Sequence, residues 1–245
     1  MTAIKVVAGL FCTALALVGP ASSLAQTGQI PAPAQQQEQL PEYKPPPRGA
    51  PGGRVGGASR GTYKPTAPLP VIEALAPQDH SGLSASPSPN LYFYVSGPVA
   101  WPTQFTISAP MQPVPVIEVN IPAPGAAGVY GVRVADYGVR LAPGIVYTWS
   151  VAAILDPNAR SRDIVASASL LLGTPDLAVE NTARAAPLGR RAVLYAQAGL
   201  WYDAVAAAVA AEPVDGYAAL DALMSEVGLA EAGYHPRAAV TATVR

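Results

Sequence analysis

The stretch LAPGIVYTWSV, residues 141–151, carries the strongest indication of the fold in this chain of 245 residues. A Pro-Gly turn leads into a predicted strand in which Tyr147, Trp149 and Val151 share one face, because side chains alternate along a strand. Leu141 lies six residues before Tyr147, a spacing that resembles a tyrosine corner, in which the hydroxyl bonds back to the preceding backbone. Trp149 is predicted to pack in the core, and the alternative is a platform on which a sugar stacks.

Six further runs of alternating apolar and polar residues surround this strand. In the run VIEVNI, Ile117, Val119 and Ile121 are predicted to face the core while Glu118 and Asn120 face water. The seven predicted strands begin at residues 71, 91, 103, 116, 128, 146 and 163. Seven short strands in about a hundred residues are typical of an antiparallel sandwich of the immunoglobulin or fibronectin type. We therefore predict a β-sandwich domain over residues 67–173.

Three residues in predicted loops are candidates for contact with a partner. Trp101 lies between two strands in VAWPTQ, so it is either an exposed aromatic or packed against the rim of the sandwich. Arg160 and Arg162 lie in LDPNARSRDI, between the last two strands. Oxygen ligands in this loop suggest a calcium site, but the loop lacks the alternating spacing and the turn glycine of calcium loops, and the arginines add positive charge. A hairpin turn without metal is the preferred interpretation.

The first 25 residues have the composition of a secretory signal peptide. Lys5 is their single charge, residues 6–18 are almost wholly apolar, and Ser23 and Ala25 supply the small residues of a cleavage site. The apolar run is shorter than the roughly 18 residues of a membrane span. The sequence therefore predicts export to the periplasm or beyond, with no membrane span after cleavage. The only cysteine, Cys12, lies in this segment, which excludes disulfides and thiol chemistry from the mature chain.

Residues 26–66 differ in composition from the rest of the chain. These 41 residues contain 8 Pro and 7 Gly and few apolar side chains to bury, so we predict a disordered linker. A spacer is the preferred role, and the alternative is that the run of three prolines binds a groove in a partner.

Helical periodicity replaces the strand pattern after a second predicted linker at 174–187. Apolar residues recur at helical spacing from Leu188, from Trp201 and from Tyr217. This spacing predicts three short helices over residues 188–230, followed by a tail at 231–245.

The stretch GLWYDAV, residues 199–205, is similar to the helical hairpin of a tetratricopeptide repeat. Gly199 is predicted to form the bend, Trp201 to wedge between two helices and Ala204 to allow their close approach. Asp203 lies about 200° around the helix from Trp201. We therefore predict that Asp203 is a charge on the far side that interacts with the helix dipole.

Composition and motifs exclude several classes of function. Charged residues make up 13% of the chain and the net charge is −1, which gives no field for binding nucleic acid. The run DHS at 79–81 contains the residue types of a serine-hydrolase triad, but three consecutive residues are not expected to assemble one. His80 and His235 are the only histidines and neither has the spacing of a metal site, so no metal or cofactor is expected.

The order of several motifs resembles one known family. GGASRGTY, IEALAP, GLSASPSPNLYFYV, LAPGIVYTW, DPNARSRD and GLWYDAV follow one another as in the exported bacterial family of domain of unknown function 928, over roughly residues 50–230. The resemblance implies an exported β-domain followed by a short helical segment, with no assigned activity and no catalytic residues to carry over. Members often carry two cysteines where this chain has Tyr63 and Leu155, so the disulfide that the family pattern implies is absent.

Together these features predict an exported, non-enzymatic binding or structural module of the bacterial cell envelope. It would mediate interaction with another envelope protein, whose identity the sequence does not specify. The alternatives are a cell-envelope hydrolase and a carbohydrate-binding domain that uses Trp101. The predicted structural anchors are Trp201, Gly199, Ala204, Tyr147, Leu141 and Trp149.

Overall fold

The computed structural model describes residues 39–46, 52–57, 69–211 and 216–229. Within these residues nine strands form two sheets, and four helices follow them. The strands are β1 (Arg54–Gly57), β2 (Ile72–Ala74), β3 (Gly82–Ser84), β4 (Asn90–Val95), β5 (Thr103–Ser108), β6 (Ile117–Ile121), β7 (Gly128–Arg133), β8 (Val146–Ala153) and β9 (Ile164–Leu172). The helices are α1 (Leu177–Ala185), α2 (Leu188–Gln197), α3 (Trp201–Ala210) and α4 (Gly216–Glu226).

The larger sheet has the order β1-β9-β8-β5-β6, with β3 also paired to β9, and the smaller sheet has the order β2-β4-β7. The strand pairs are antiparallel except for β3 and β9, which run parallel. The prediction of a β-rich fold with antiparallel sheets and helices near the C-terminus is confirmed. Each of the seven predicted strands begins within one residue of a strand in the structure.

The core follows the alternation read from the sequence. Phe105 and Ile107 of β5 are fully buried and lie opposite Val151 and Trp149 of β8. At the start of β8, the hydroxyl of Tyr147 accepts a hydrogen bond of 3.0 Å from the backbone N–H of Ala142. This bond holds the turn against the strand in the manner of a tyrosine corner.

Leu141 stabilises the start of the turn that precedes β8. Its side chain is buried, and its backbone N–H donates to the carbonyl oxygen of Pro87 at 2.7 Å. The turn before β8 is therefore tied to the loop that precedes β4.

Two segments within the predicted linkers have regular secondary structure. The prediction of disorder over 26–66 is wrong for β1, which pairs with residues 165–168 of β9. A side chain at Gly53 would place its Cβ 2.1 Å from the carbonyl oxygen of Gln78, so only glycine allows this approach. The linker predicted at 174–187 contains α1, which begins where the Asp176 carboxylate accepts from the N–H of Ala178. Residues 1–25, Tyr63, His235 and the tail at 231–245 lie outside the described residues.

The helix α3 is apolar on nearly all sides. Seven of its ten residues are buried, because α3 packs against α2 and α4 and also against β3 and β4. A helix with apolar residues all round is expected to be enclosed by the rest of the protein. Across the described part of the chain, no helix combines the length and the hydrophobicity that a membrane crossing requires.

Candidate functional site

The helices are joined to the larger sheet through a buried pair of aromatic residues. The Tyr202 hydroxyl accepts from the indole N–H of Trp149 at 2.9 Å and donates to the carbonyl oxygen of Ser169 at 2.9 Å. Trp149 and Tyr202 are almost completely buried, and their rings meet edge to face at 6.4 Å. Trp149 is therefore a core residue, and a role as an exposed sugar platform is excluded. No sequence pattern predicted a role for Tyr202.

Trp201 makes a second connection between the helices and the strands. Its indole N–H donates to the backbone carbonyl of Leu75 at 2.9 Å, and its side chain is fully buried. Gly199 has a φ of 74°, and a Cβ there would lie 2.9 Å from the carbonyl oxygen of Lys44. Ala204 is fully buried within α3. These three residues lie at the junction of α2, α3 and the strands.

Asp203 lies on the side of α3 away from Trp201, as predicted, but its role is not limited to a charge that interacts with the helix dipole. Its carboxylate accepts a hydrogen bond of 2.8 Å from the backbone N–H of Ala85, just beyond β3. Asp203 is half-buried where it contacts the end of β3, and this burial raises the pKa of its carboxyl to about 6. The side of α3 that is not fully buried carries Asp203, Ala206 and Ala210.

Residues 39–46, here called the N-terminal segment, bind across the helices. Tyr43 is buried, with its ring edge-on to Trp201 at 4.9 Å and its backbone N–H donating to Glu226 at 2.6 Å. The next backbone N–H, of Lys44, donates to the carbonyl oxygen of Ala196 at 3.0 Å. The predicted linker thus contributes an aromatic anchor, which composition alone did not reveal.

Tyr43 also completes a chain of three polar side chains. Its hydroxyl lies 2.8 Å from Nε2 of His80, and Nδ1 of His80 lies 2.7 Å from the Asp79 carboxylate. The hydrogen bond to His80 lowers the pKa of Asp79, so the carboxylate is ionised and accepts only. Nδ1 therefore donates to Asp79, and a hydrogen bond joins Nε2 to the Tyr43 hydroxyl. We refer to Tyr43, His80 and Asp79 as the polar triplet.

A pocket of about 470 Å³ opens beside the polar triplet. It is lined by Tyr43, Pro45 and Pro46, by residues 78–80, and by residues 226–228 at the end of α4. Burial raises the pKa of Glu226, which borders the pocket. Within the described residues, no group of three or more His, Cys, Asp or Glu side chains is placed to hold a metal ion.

The polar triplet has the donor order of a hydrolase triad, with a phenol in place of the serine hydroxyl. Burial raises the pKa of Tyr43, and the charge of Asp79 raises it further, so the phenol is held in its neutral form. The backbone N–H groups of Tyr43 and Lys44 already donate to other acceptors. The triplet therefore holds the N-terminal segment against the loop that precedes β3.

The three predicted contact residues have different surroundings. Trp101 is half-buried and packs against the core. Arg160 donates to Asp163 at 2.6 Å and to the side chain of Gln104. Arg162 lies 3.6 Å from Asp156. Both arginines thus hold the β8–β9 loop, whose turn is closed by a bond from the N–H of Asn158 to Asp156, as in the predicted hairpin.

The loop between β5 and β6 carries the most exposed large apolar side chain of the described residues, Met111. Met111 is fully exposed and has a φ of 59°, and Val114 is 72% exposed. Residues 110–114, here called the exposed loop, lie in a stretch without any charged residue from Trp101 to Ile117. Pro110 and Pro113 restrict the backbone on either side of Met111. The loop therefore presents apolar side chains in a defined conformation.

Residues 55–236 match the model of the family described as Domain of Unknown Function (DUF928). The chain belongs to the DUF928 family. The DUF928 match takes in both sheets and the four helices, but it begins after the N-terminal segment, so Tyr43 lies outside it. No curated protein and no solved structure matches this DUF928 chain.

Proposed function

We propose that this chain is an exported, non-enzymatic binding module of the bacterial cell envelope that contacts a partner protein through the exposed loop. The observation that carries the proposal is Met111, an apolar side chain held fully in solvent at a φ of 59°. A left-handed backbone at a residue other than glycine is costly and occurs preferentially where function requires it. Exposed apolar side chains on a rigid loop are typical anchors for a protein interface.

A photo-crosslinking residue at position 111 tests this proposal in intact cells. We expect it to capture one discrete envelope protein, and Val114→Asp in the same chain should abolish the capture. The matched control is the same crosslinker at Leu177, which is 73% exposed on α1. Identical products from positions 111 and 177 would contradict a specific role for the exposed loop.

Export is supported by the signal-like composition of the first 25 residues. Mass spectrometry of the accumulated protein should find a mature N-terminus at Gln26, and cell fractionation should find the protein outside the cytoplasm. A cytoplasmic protein that retains Met1 would contradict export.

We also propose the finer assignment of the architecture. The two sheets support a sandwich of the immunoglobulin or fibronectin type, because Tyr147 makes the backbone bond of a tyrosine corner. The bend at Gly199 and the buried Trp201 and Ala204 support a tetratricopeptide-like hairpin in α2 and α3. An experimental structure that superimposes on neither class would contradict this assignment.

A cell-envelope hydrolase is the second candidate, favoured by the polar triplet beside the pocket. Purified protein would be assayed on a panel of esters and on peptidoglycan. We expect no turnover, because Tyr43 is buried against Trp201 and its contacts anchor the N-terminal segment. Turnover that disappears in His80→Gln and in Tyr43→Phe, with the fold intact, would support hydrolysis as the function in place of binding.

A further inference from the structure

The two edges of the larger sheet differ in the described structure. On one side, β1 and β3 both pair with β9 and together cover most of its length. On the other side, β6 pairs with β5 alone among the described strands. Proteins usually protect a free edge with lysine, internal proline or a covering segment. The five residues of β6 include no proline or lysine, and their single charge is Glu118.

The sequence of β6, Ile-Glu-Val-Asn-Ile, is complementary to itself in antiparallel orientation. When Val119 lies opposite a second Val119, Ile117 lies opposite Ile121 and Glu118 lies opposite Asn120. This register keeps Ile117 and Ile121, both buried in the structure, on one continuous apolar face. Glu118 and Asn120, both exposed, meet on the outer face as an acceptor and an amide donor.

Other registers of this pairing are less favourable. A shift that places Glu118 opposite a second Glu118 brings two like charges together, which destabilises a strand pair. A shift centred on Asn120 aligns only three residues. A shift by a single residue places polar side chains on the apolar face. Pro115 and Pro122, which flank β6, limit the pairing to the strand itself because proline has no N–H to donate.

We infer that β6 is an interaction surface for β6 of a second copy of this chain, with a two-fold axis at Val119. The pairing joins two larger sheets into one, and the interface is the same patch on both copies. Because the strands run antiparallel, the two exposed loops lie at opposite ends of the paired strands. A dimer of this kind presents two copies of Met111 and binds a multivalent partner more tightly than one copy does.

Charge substitutions at Asn120 test the pairing in the protein purified from cells. Asn120→Lys places a lysine opposite Glu118 of the other copy, twice by symmetry, whereas Asn120→Glu places two like-charged pairs there. We expect the Kd of the dimer, measured by sedimentation, to fall on the order of tenfold for Lys and to rise on the order of tenfold for Glu. Asn120 is exposed and lies opposite Gln104 within the chain, so equal melting temperatures for the two variants at concentrations where both are monomeric verify the fold.

A cysteine at the proposed axis provides a second test. In the full chain carrying Cys12→Ser, Val119→Cys should form an interchain disulfide on mild oxidation, since directly opposed residues of paired strands lie close enough. Leu177→Cys, on α1, should remain monomeric on the same gel.

A chain that is monomeric up to submillimolar concentration would overturn the inference. So would a dimer that neither Asn120 variant affects and Val119→Cys does not trap. The dimer does not rest on the proposed partner binding: Val114→Asp removes partner capture and leaves sedimentation unchanged, so the two proposals fail separately.

Discussion

Replacement of Asp203 by asparagine isolates the free energy of ionising one half-buried carboxyl group. Burial raises the pKa of Asp203 from 3.8 to about 6 in the folded protein. Each pKa unit between the folded and unfolded states is worth about 1.4 kcal/mol. Ionising this carboxylate in the folded protein therefore destabilises the fold by about 3 kcal/mol relative to the protonated form.

The direction of the pH dependence follows from the raised pKa. The folded state binds the proton more tightly than the unfolded chain does, so the contribution of Asp203 to stability is fully present below about pH 4 and is lost as the pH rises through about 6. Asparagine keeps an oxygen that accepts from the N–H of Ala85 and carries no charge. The variant is thus expected to lack this loss of stability.

Urea unfolding, followed by tryptophan fluorescence across the pH range, measures the effect. We expect the free energy of unfolding of Asp203→Asn, relative to the unaltered chain, to increase by about 2.5 kcal/mol between about pH 4 and about pH 7.5. The charge of Glu180 also raises the pKa of Asp203. In a chain that keeps Asp203, Glu180→Gln should therefore shift the pH-dependent loss of stability to lower pH. Parallel stability curves for the Asp203→Asn variant and the unaltered chain would show that the carboxylate is solvated.

Three further substitutions have defined outcomes. Tyr202→Phe removes two buried hydrogen bonds and should lower the free energy of unfolding by about 2–5 kcal/mol in urea. Trp201→Ala should cost about 3–5 kcal/mol and lower the melting temperature, whereas unchanged calorimetry would mean that its burial contributes little. Tyr43→Phe removes the bond to His80 and should speed hydrogen exchange of the Lys44 amide by up to about tenfold, with little change in global melting. An unchanged exchange rate would show that this bond does not hold the N-terminal segment.

The strands were predictable because alternation along the chain directly reports which side chains face the core. The buried Ile117 and Ile121 and the exposed Glu118 and Asn120 have the burial read from the sequence. The position of Trp149 in the core followed from the same periodicity. These properties depend on near neighbours in sequence, which a single chain displays fully.

The contacts around α3 were less accessible to sequence reasoning. The predicted angular separation of Trp201 and Asp203 around α3 was correct. The sequence did not show, however, that the backbone N–H of Ala85 lies beside the Asp203 carboxylate. Tyr43 was missed because the prediction for this region used its mean composition, which is proline-rich. A mean composition does not show that a single aromatic residue contacts Trp201. Composition reports mean burial over many residues, whereas a bound segment needs only one anchor and a few backbone hydrogen bonds.

The position of β9 determines when the larger sheet can be completed during folding. Arg54 of β1 lies opposite Ala168 of β9, and β3 and β8 pair with the same strand. Contacts between residues so far apart in sequence require closure of a long loop, which slows folding. During synthesis this sheet must wait until residue 172 is available. The larger sheet therefore stays incomplete for most of the chain's elongation, and an incomplete sheet leaves a polypeptide easier to thread through a narrow channel.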